Sequence, residues 1–147
     1  HPDLLRRWIV ALPRGAWFAM QVPANFTAPS HTLVRELAGE PPWSGMLDLN
    51  ETNTVLDPDE YGELFTAAGA EVDIWETTYL HRLTGPDPVL HWIGSTALRP
   101  VRHALDDDAY AEFCAALAPR LRAAYPPRDD GTTWFPFRRI FAVARVP

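Results

Sequence analysis

The sequence has no lysine, only one cysteine, and no two glycines separated by a single residue. One cysteine excludes an internal disulfide, and the place of Cys114 on an apolar helical stripe predicts a buried free thiol rather than a nucleophile. A reducing, cytoplasmic location fits this cysteine usage. No apolar run is long enough to predict a membrane span. Because a G-x-G turn is absent, the chain lacks the usual glycine-rich approach to a nucleotide cofactor.

All 13 basic residues are therefore arginine, and with 19 acidic residues they give a net charge of −6. This balance argues against nucleic acid as a partner. The His, Asp and Glu residues show no metal-ligand spacing, so no metal is expected. A length of 147 residues with 47% hydrophobic side chains predicts one globular domain, in which the 15 prolines mark helix starts, turns and strand ends.

Two helices are predicted in the first part of the chain. The first begins at Pro2, which suits a first turn, and its predicted buried face consists of Leu4, Leu5, Trp8, Ile9 and Leu12. Ser30 is predicted to cap a second helix that ends near Leu37.

Clear helix signals follow in the second part. An Asp-Pro-x-Glu capping box begins a helix at Asp57, and Gly69 is expected to end it as the residue after the C-cap. Residues 85–126 carry further helical patterns and predict a helical insertion that could act as a lid. Pro119 is expected to kink or split the last of these helices.

Three stretches are predicted as strands: Gly15–Val22, Glu71–Leu83 and Thr133–Val146. The first is apolar on both faces, which is typical of a strand covered on both sides. Strand, helix and strand in that order predict that the first two are parallel. The third returns after the helical insertion and is expected to run antiparallel, with its beginning beside the end of the second. Ligands bind at such an edge of an open sheet.

Four blocks of sequence carry a resemblance to a known family. They are Pro13–His31, Trp75–Trp92, Leu98–Val101 and Phe135–Ala144, and together they cover much of the chain. As a set they resemble the trans-aconitate 2-methyltransferase family, which belongs to the class I S-adenosylmethionine-dependent methyltransferases. The resemblance implies methyl transfer to a carboxylate of a small polycarboxylic acid, which gives a methyl ester.

The fold implied is an α/β fold, the C-terminal half of a Rossmann-like class I sheet. In it the three strands would be the fifth, sixth and seventh, with the seventh antiparallel between the other two and the helical insertion joining the last two. The whole chain, 1–147, would be the C-terminal part of one methyltransferase domain.

The sequence departs from the family in the missing G-x-G turn and in the missing acidic residue that follows the second strand. We therefore expect this stretch alone to bind S-adenosylmethionine weakly or not at all and to be inactive, and we name no cofactor-binding residue. A truncated sheet would also expose an edge, so self-association through Gly15–Val22 is expected.

Substrate recognition is assigned to side chains at the predicted sheet edge. Arginine matches carboxylates, and histidine, tyrosine and asparagine donate hydrogen bonds. The candidates are Asn25, His31, Tyr79, His81, Arg138 and Arg139. For each of them a packing, capping or surface role stays open, and adjacent strand positions leave it undecided which of the two arginines faces the site. No catalytic residue is assigned, because a carboxylate is already ionised at neutral pH and needs no general base.

Two other functions remain open. The chain could belong to a methyltransferase for another small acid or natural product, or it could be a non-catalytic α/β binding module.

Overall fold

The computed structural model describes residues 2–47, 49 and 55–147. Within them the chain forms six helices and three strands. In chain order they are α1 (Pro2–Ala11), β1 (Trp17–Pro23), α2 (Pro29–Ala38), α3 (Pro58–Ala67), β2 (Glu71–Thr84), α4 (Pro88–Ile93), α5 (Arg99–Ala104), α6 (Asp107–Ala124) and β3 (Thr132–Arg145).

The strands form one sheet in the order β1–β3–β2. β3 runs antiparallel to β1, with Trp17 opposite Arg145 and Pro23 opposite Arg139. The two ring planes of Trp75 on β2 and Phe141 on β3 are stacked with their centroids 5.4 Å apart. The central, antiparallel placement of the last strand is thus confirmed, whereas the numbering of the strands as fifth, sixth and seventh stays a prediction.

The described residues divide into two compact units. One contains residues 2–24, 55–79 and 137–147, and the other contains 25–47, 49 and 80–136. The core of the first unit joins Ile9 of α1, Tyr61 and Phe65 of α3, and Ile140 and Ala142 of β3. The second unit is centred on α6, whose buried Phe113 and Leu117 lie in a core that also contains Val34 of α2.

Two predictions about burial in the first unit are wrong. Ile9 of α1 is buried, but Leu4 and Trp8 are exposed, the latter by 49%. β1 is not covered on both faces: alternate residues are exposed, and the exposed fraction of Trp17 is 67%. Its other face packs on the core through Phe18, Met20 and Val22. A run of apolar residues therefore overstates the burial of a strand that is an edge of the described sheet.

Two predictions about helix ends and interiors in the second unit are also wrong. The N-cap of α2 is Ala28 rather than Ser30, since Pro29 occupies the first turn and moves the helix start forward. α6 continues through Pro119 as a single helix. Buried Leu117, Ala118 and Leu121 on either side of the proline hold it in the core.

Cys114 of α6 is half-buried, and burial raises the pKa of its thiol. A raised pKa leaves less thiolate, which does not favour a role as nucleophile.

Candidate functional site

The predicted substrate-binding side chains are divided between the two units. Tyr79, Arg138 and Arg139 lie in the first, and Asn25, His31 and His81 lie in the second. Each group is described within its own unit.

The two adjacent arginines of β3 have different partners. Arg138 donates from Nε to Oε1 of Glu76, and its Nη2 lies 3.7 Å from Oδ1 of Asp57. Arg139 donates from Nη1 to the amide oxygen of Gln21, a neutral group. Its guanidinium carbon lies 4.9 Å from the centre of the Phe137 ring. The positive charge of Arg138 is thus balanced by neighbouring carboxylates. The positive charge of Arg139 instead lies beside a neutral acceptor and an aromatic face.

Tyr79 lies on β2 in the same unit and is 42% exposed. A packed core tyrosine, the other reading of this residue, is therefore not what the structure shows. Its exposure leaves the phenol ring accessible to a ligand.

His31 lies in the first turn of α2. Its Nδ1 is 3.1 Å from Oγ of Ser30, and its ring centre is 5.6 Å from that of Phe26. Burial lowers the pKa of His31, and the positive charge of Arg35 lowers this pKa further. Both effects favour a neutral imidazole at physiological pH.

Asn25 and His81 are the remaining candidates in the second unit. Asn25 is only 4% exposed, and its backbone carbonyl accepts from the N–H of Ala28 at 2.9 Å, so it belongs to the turn that leads into α2. His81 lies on β2, where its ring centre is 4.6 Å from that of Trp92. Trp92 also packs on Phe135 of β3, at 5.8 Å between ring centres. Both residues are therefore anchored, with less freedom than an exposed side chain.

The end of β2 does lie beside the beginning of β3, as predicted. Arg82 of β2 forms an ion pair of 3.1 Å with Asp130, which precedes β3. Asp130 also accepts from Oγ1 of Thr132 at 2.6 Å and from its backbone N–H at 3.0 Å. These contacts fasten the two strand ends within the second unit.

A cavity of about 270 Å³ lies elsewhere in the second unit. Its walls are mostly apolar and include Val89, Leu90 and Leu121. Arg122 at this cavity forms an ion pair with Asp87. None of the predicted substrate-binding residues lines it, and its only arginine is already neutralised, so the cavity does not suit a polycarboxylate.

Sequence reasoning missed the residues that support the candidates. Gln21, Phe137 and Ser30 each contact a predicted side chain. Ser30 and Phe137 carried a local signal, because Ser30 directly precedes His31 and Phe137 lies two residues before Arg139 on the same face of a strand. Gln21 is 118 residues from Arg139, and no local pattern joins them.

The part of the chain that the structure describes supports neither a metal site nor a membrane-spanning helix. No group of three His, Cys, Asp or Glu side chains there could hold a metal ion. Among the same residues, no helix has the length and apolar character that a membrane span requires.

Known proteins are similar to nearly the whole chain. A trans-aconitate 2-methyltransferase of Mycolicibacterium gilvum is 56% identical over a 149-residue alignment that covers 99% of this chain and 58% of that protein. The protein of the same name from Rhodococcus jostii is 55% identical, over an alignment that covers 99% of this chain and 59% of that protein. The protein of that name from Mycobacterium tuberculosis is 49% identical, over an alignment that covers 99% of this chain and 57% of that protein.

No family model matches the sequence. The chain spans less than three fifths of the length of these curated relatives, because the alignments cover 57–59% of them. The resemblance seen in the sequence is nevertheless confirmed: over 99% of its length the chain is similar to the C-terminal portion of proteins named trans-aconitate 2-methyltransferase.

Proposed function

We propose that this chain supplies the acid-binding part of an S-adenosylmethionine-dependent methyltransferase that esterifies a carboxylate of a small, trans-aconitate-like polycarboxylic acid. The observation that carries the proposal is the identity of 49–56% with proteins named for that activity, over 99% of the chain. The alternatives, another small acid or a binding module without catalysis, have no comparable support.

The chemistry of the acceptor sets what the chain's residues must do. A carboxylate with a pKa near 4 is ionised at neutral pH, so no base is needed to activate it. What remains is to hold several negative charges in a fixed orientation and to exclude water. Cations and N–H or O–H donors therefore matter more than a catalytic base.

Arg139 is the strongest cation for this role. Its hydrogen bond to Gln21 fixes the guanidinium without cancelling its charge, and the Phe137 ring supports one face. Arg138 already has the carboxylates of Glu76 and Asp57 beside it. A substrate carboxylate would have to compete with them. We therefore assign the substrate contact to Arg139 and a structural ion pair to Arg138.

Each unit also carries hydrogen-bond donors that we propose for binding an acid. His31 presents a neutral imidazole, and His81 presents a ring held against Trp92. Exposed Tyr79 of the first unit adds a phenol hydroxyl. The helical segment 85–126, which contains α4, α5 and α6, is proposed as a lid that excludes water.

The described residues include no glycine-rich turn that we can assign to S-adenosylmethionine. Glycines at a nucleotide site allow a close approach of the backbone. Here Gly15, Gly69, Gly85 and Gly131 each have positive φ and open space where a side chain would lie, which marks them as turn glycines. We assign no contact with the methyl donor to this chain and propose that the chain alone is inactive.

The first prediction tests whether Arg139 is the cation that binds the acid. In the longest natural form of the protein that contains these 147 residues, Arg139→Gln should raise KM for the acid about 10- to 100-fold, because a charge-assisted hydrogen bond is lost. Initial rates with labelled S-adenosylmethionine and a panel of di- and tricarboxylates measure this.

Arg138→Gln is the matched control, since it makes the same change at the adjacent position. It should leave KM within about twofold, because a surface ion pair contributes little. Equal effects of the two substitutions would remove Arg139 from the site. A wild-type protein that methylates none of the acids would contradict the proposed function.

A further inference from the structure

Ser30 is a fully buried hydroxyl residue, with 0% exposure, at the start of α2. A buried hydroxyl needs hydrogen-bond partners. It does not cap the helix, since the N-cap is Ala28 and no side chain caps there. The Ser30 hydroxyl is therefore free for another contact.

That contact is the imidazole of the next residue. Oγ of Ser30 lies 3.1 Å from Nδ1 of His31. The backbone N–H of Ser30 donates to the hydroxyl of Tyr125 at 3.1 Å, which fixes Ser30 against the end of α6. Tyr125 is itself buried and packs its ring on Phe135 at 5.3 Å. The serine is thus held in place on both its backbone and its side chain.

The burial of Ser30 decides which group donates. If Nδ1 of His31 carried the proton, it would donate to Oγ, and the hydroxyl proton of Ser30 would lack an acceptor among the described residues. If Nδ1 is unprotonated, the hydroxyl donates to it and both groups are satisfied. Leaving a buried donor without a partner is costly, so the second arrangement is favoured. The proton of the neutral ring then lies on Nε2.

We propose that Ser30 is a positioning residue that holds His31 in the Nε2-protonated tautomer, so that His31 offers one directed N–H donor to a carboxylate of the acid. The assignment to an acid rests on the proposed function. Ser30 itself is too deeply buried to contact a substrate. The low pKa of His31, caused by burial and Arg35, agrees with a ring that stays neutral while it donates.

The tautomer can be measured on the 147-residue chain by long-range ¹⁵N–¹H correlation of labelled imidazoles above neutral pH. The wild-type His31 signal, assigned by its loss in His31→Gln, should show unprotonated Nδ1 and protonated Nε2. Ser30→Ala should give a mixture of tautomers, and Ser30→Thr, which keeps the hydroxyl, should preserve the wild-type pattern. The exposed His103 is the internal control and should not change.

A protonated Nδ1 in the wild-type spectrum would overturn the proposal, whether or not Ser30→Ala folds. An unchanged His31 tautomer in a folded Ser30→Ala chain would do the same.

A second measurement tests the link to the acid. In the longest natural form of the protein, Ser30→Ala should raise KM for the acid about fivefold with kcat little changed, and Ser30→Thr should restore KM. An unchanged KM would overturn the role of Ser30 in acid binding. If the wild-type protein methylates no acid, the proposed function fails instead, while the spectrum still decides the tautomer.

Discussion

At the scale of the residue, the arginines show what a sequence can and cannot predict about a site. Residue type and strand position made Arg138 and Arg139 candidates for acid binding, but the partners that distinguish them come from distant parts of the chain. Glu76 is 62 residues from Arg138, and Gln21 is 118 residues from Arg139. Which arginine keeps a usable charge is therefore a property of the folded chain and could not be read from local sequence.

Asp130 offers a prediction at the same scale. Hydrogen bonds from the Thr132 hydroxyl and its backbone N–H, with a further bond from Arg82, lower the pKa of Asp130 to about 2. Thr132→Val removes the hydroxyl donor and should raise this pKa toward the ordinary aspartate value. A ¹³C carboxyl titration by NMR measures the change. Thr133→Val is the control, because Asp130 accepts from Thr132 and not from Thr133.

The sign of the pH dependence follows from the same contact. A carboxyl whose pKa is lower in the folded state stabilises the fold above its unfolded pKa of about 3.9. That contribution is lost as the pH falls from there through the folded value of about 2. Thr132→Val should therefore narrow the pH range over which the contribution is lost. An Asp130 pKa that stays near 2 in this variant would show that the hydroxyl is not the principal cause.

At the scale of the element, α3 was the helix best predicted, because its signals are local. Asp57 donates its backbone N–H to Oε2 of Glu60 at 2.8 Å, as the capping-box pattern requires. At the other end, Gly69 N–H donates to Thr66 O at 2.9 Å and Ala70 N–H donates to Phe65 O at 3.1 Å. These two bonds are the Schellman motif. The local sequence therefore predicted both ends of α3.

Ser30 and Pro119 show where local signals fail. Ser30 has the right residue type for a cap, but Pro29 and the contact with Tyr125 place it inside the first turn. Pro119 has the right type to end a helix, but tertiary packing on both sides maintains α6. In each case contacts distant in sequence outweighed a local preference.

Two glycines of α3 and its C-terminus should respond oppositely to the same substitution. Gly69 has φ of +88°, where a side chain is strained, so Gly69→Ala should destabilise the fold by about 1 kcal/mol. Gly62 lies in the helix interior, and an added Cβ would meet only Cδ1 of Ile74 at an ordinary 3.7 Å. Gly62→Ala should therefore stabilise by about 0.5–1 kcal/mol. Urea unfolding compares the two, and a shift of both in one direction would contradict this account.

At the scale of the whole molecule, the strand order was the most far-reaching correct prediction. Chain order predicted that the last strand runs antiparallel with its beginning beside the end of β2, whereas its place between the other two strands was implied by the resemblance to the methyltransferase family. The extent of burial could not be predicted in the same way, because it depends on what lies beside each strand. β1 illustrates this, since its apolar sequence suggested a covered strand and the structure places it at an edge.

The free edge of β1 is open to pairing in the part of the chain that the structure describes. Ala24 N–H donates to Arg138 O, and Ala16 O accepts from Val146 N–H, both at 3.0 Å. The backbone groups of even-numbered residues of β1 therefore point toward β3, and those of the odd-numbered residues point to the other side. β1 has no charged side chain, whereas the opposite edge strand β2 carries Glu71, Asp73 and Glu76. Charges discourage edge pairing, so β1 is the edge at which we propose self-association.

The 147-residue chain should therefore show concentration-dependent dimerisation in sedimentation equilibrium. Ala19→Lys places a charge in the middle of the free edge and should weaken the dimer about tenfold or more, because the added like charges of the two paired strands would repel each other. Val10→Lys is the control: it adds the same charge at an exposed apolar position outside β1, on α1, and should leave the dimer unchanged. Equal weakening by both substitutions would indicate a general effect of charge or a different interface. A wild-type chain that stays monomeric at high concentration would show that the edge is not used.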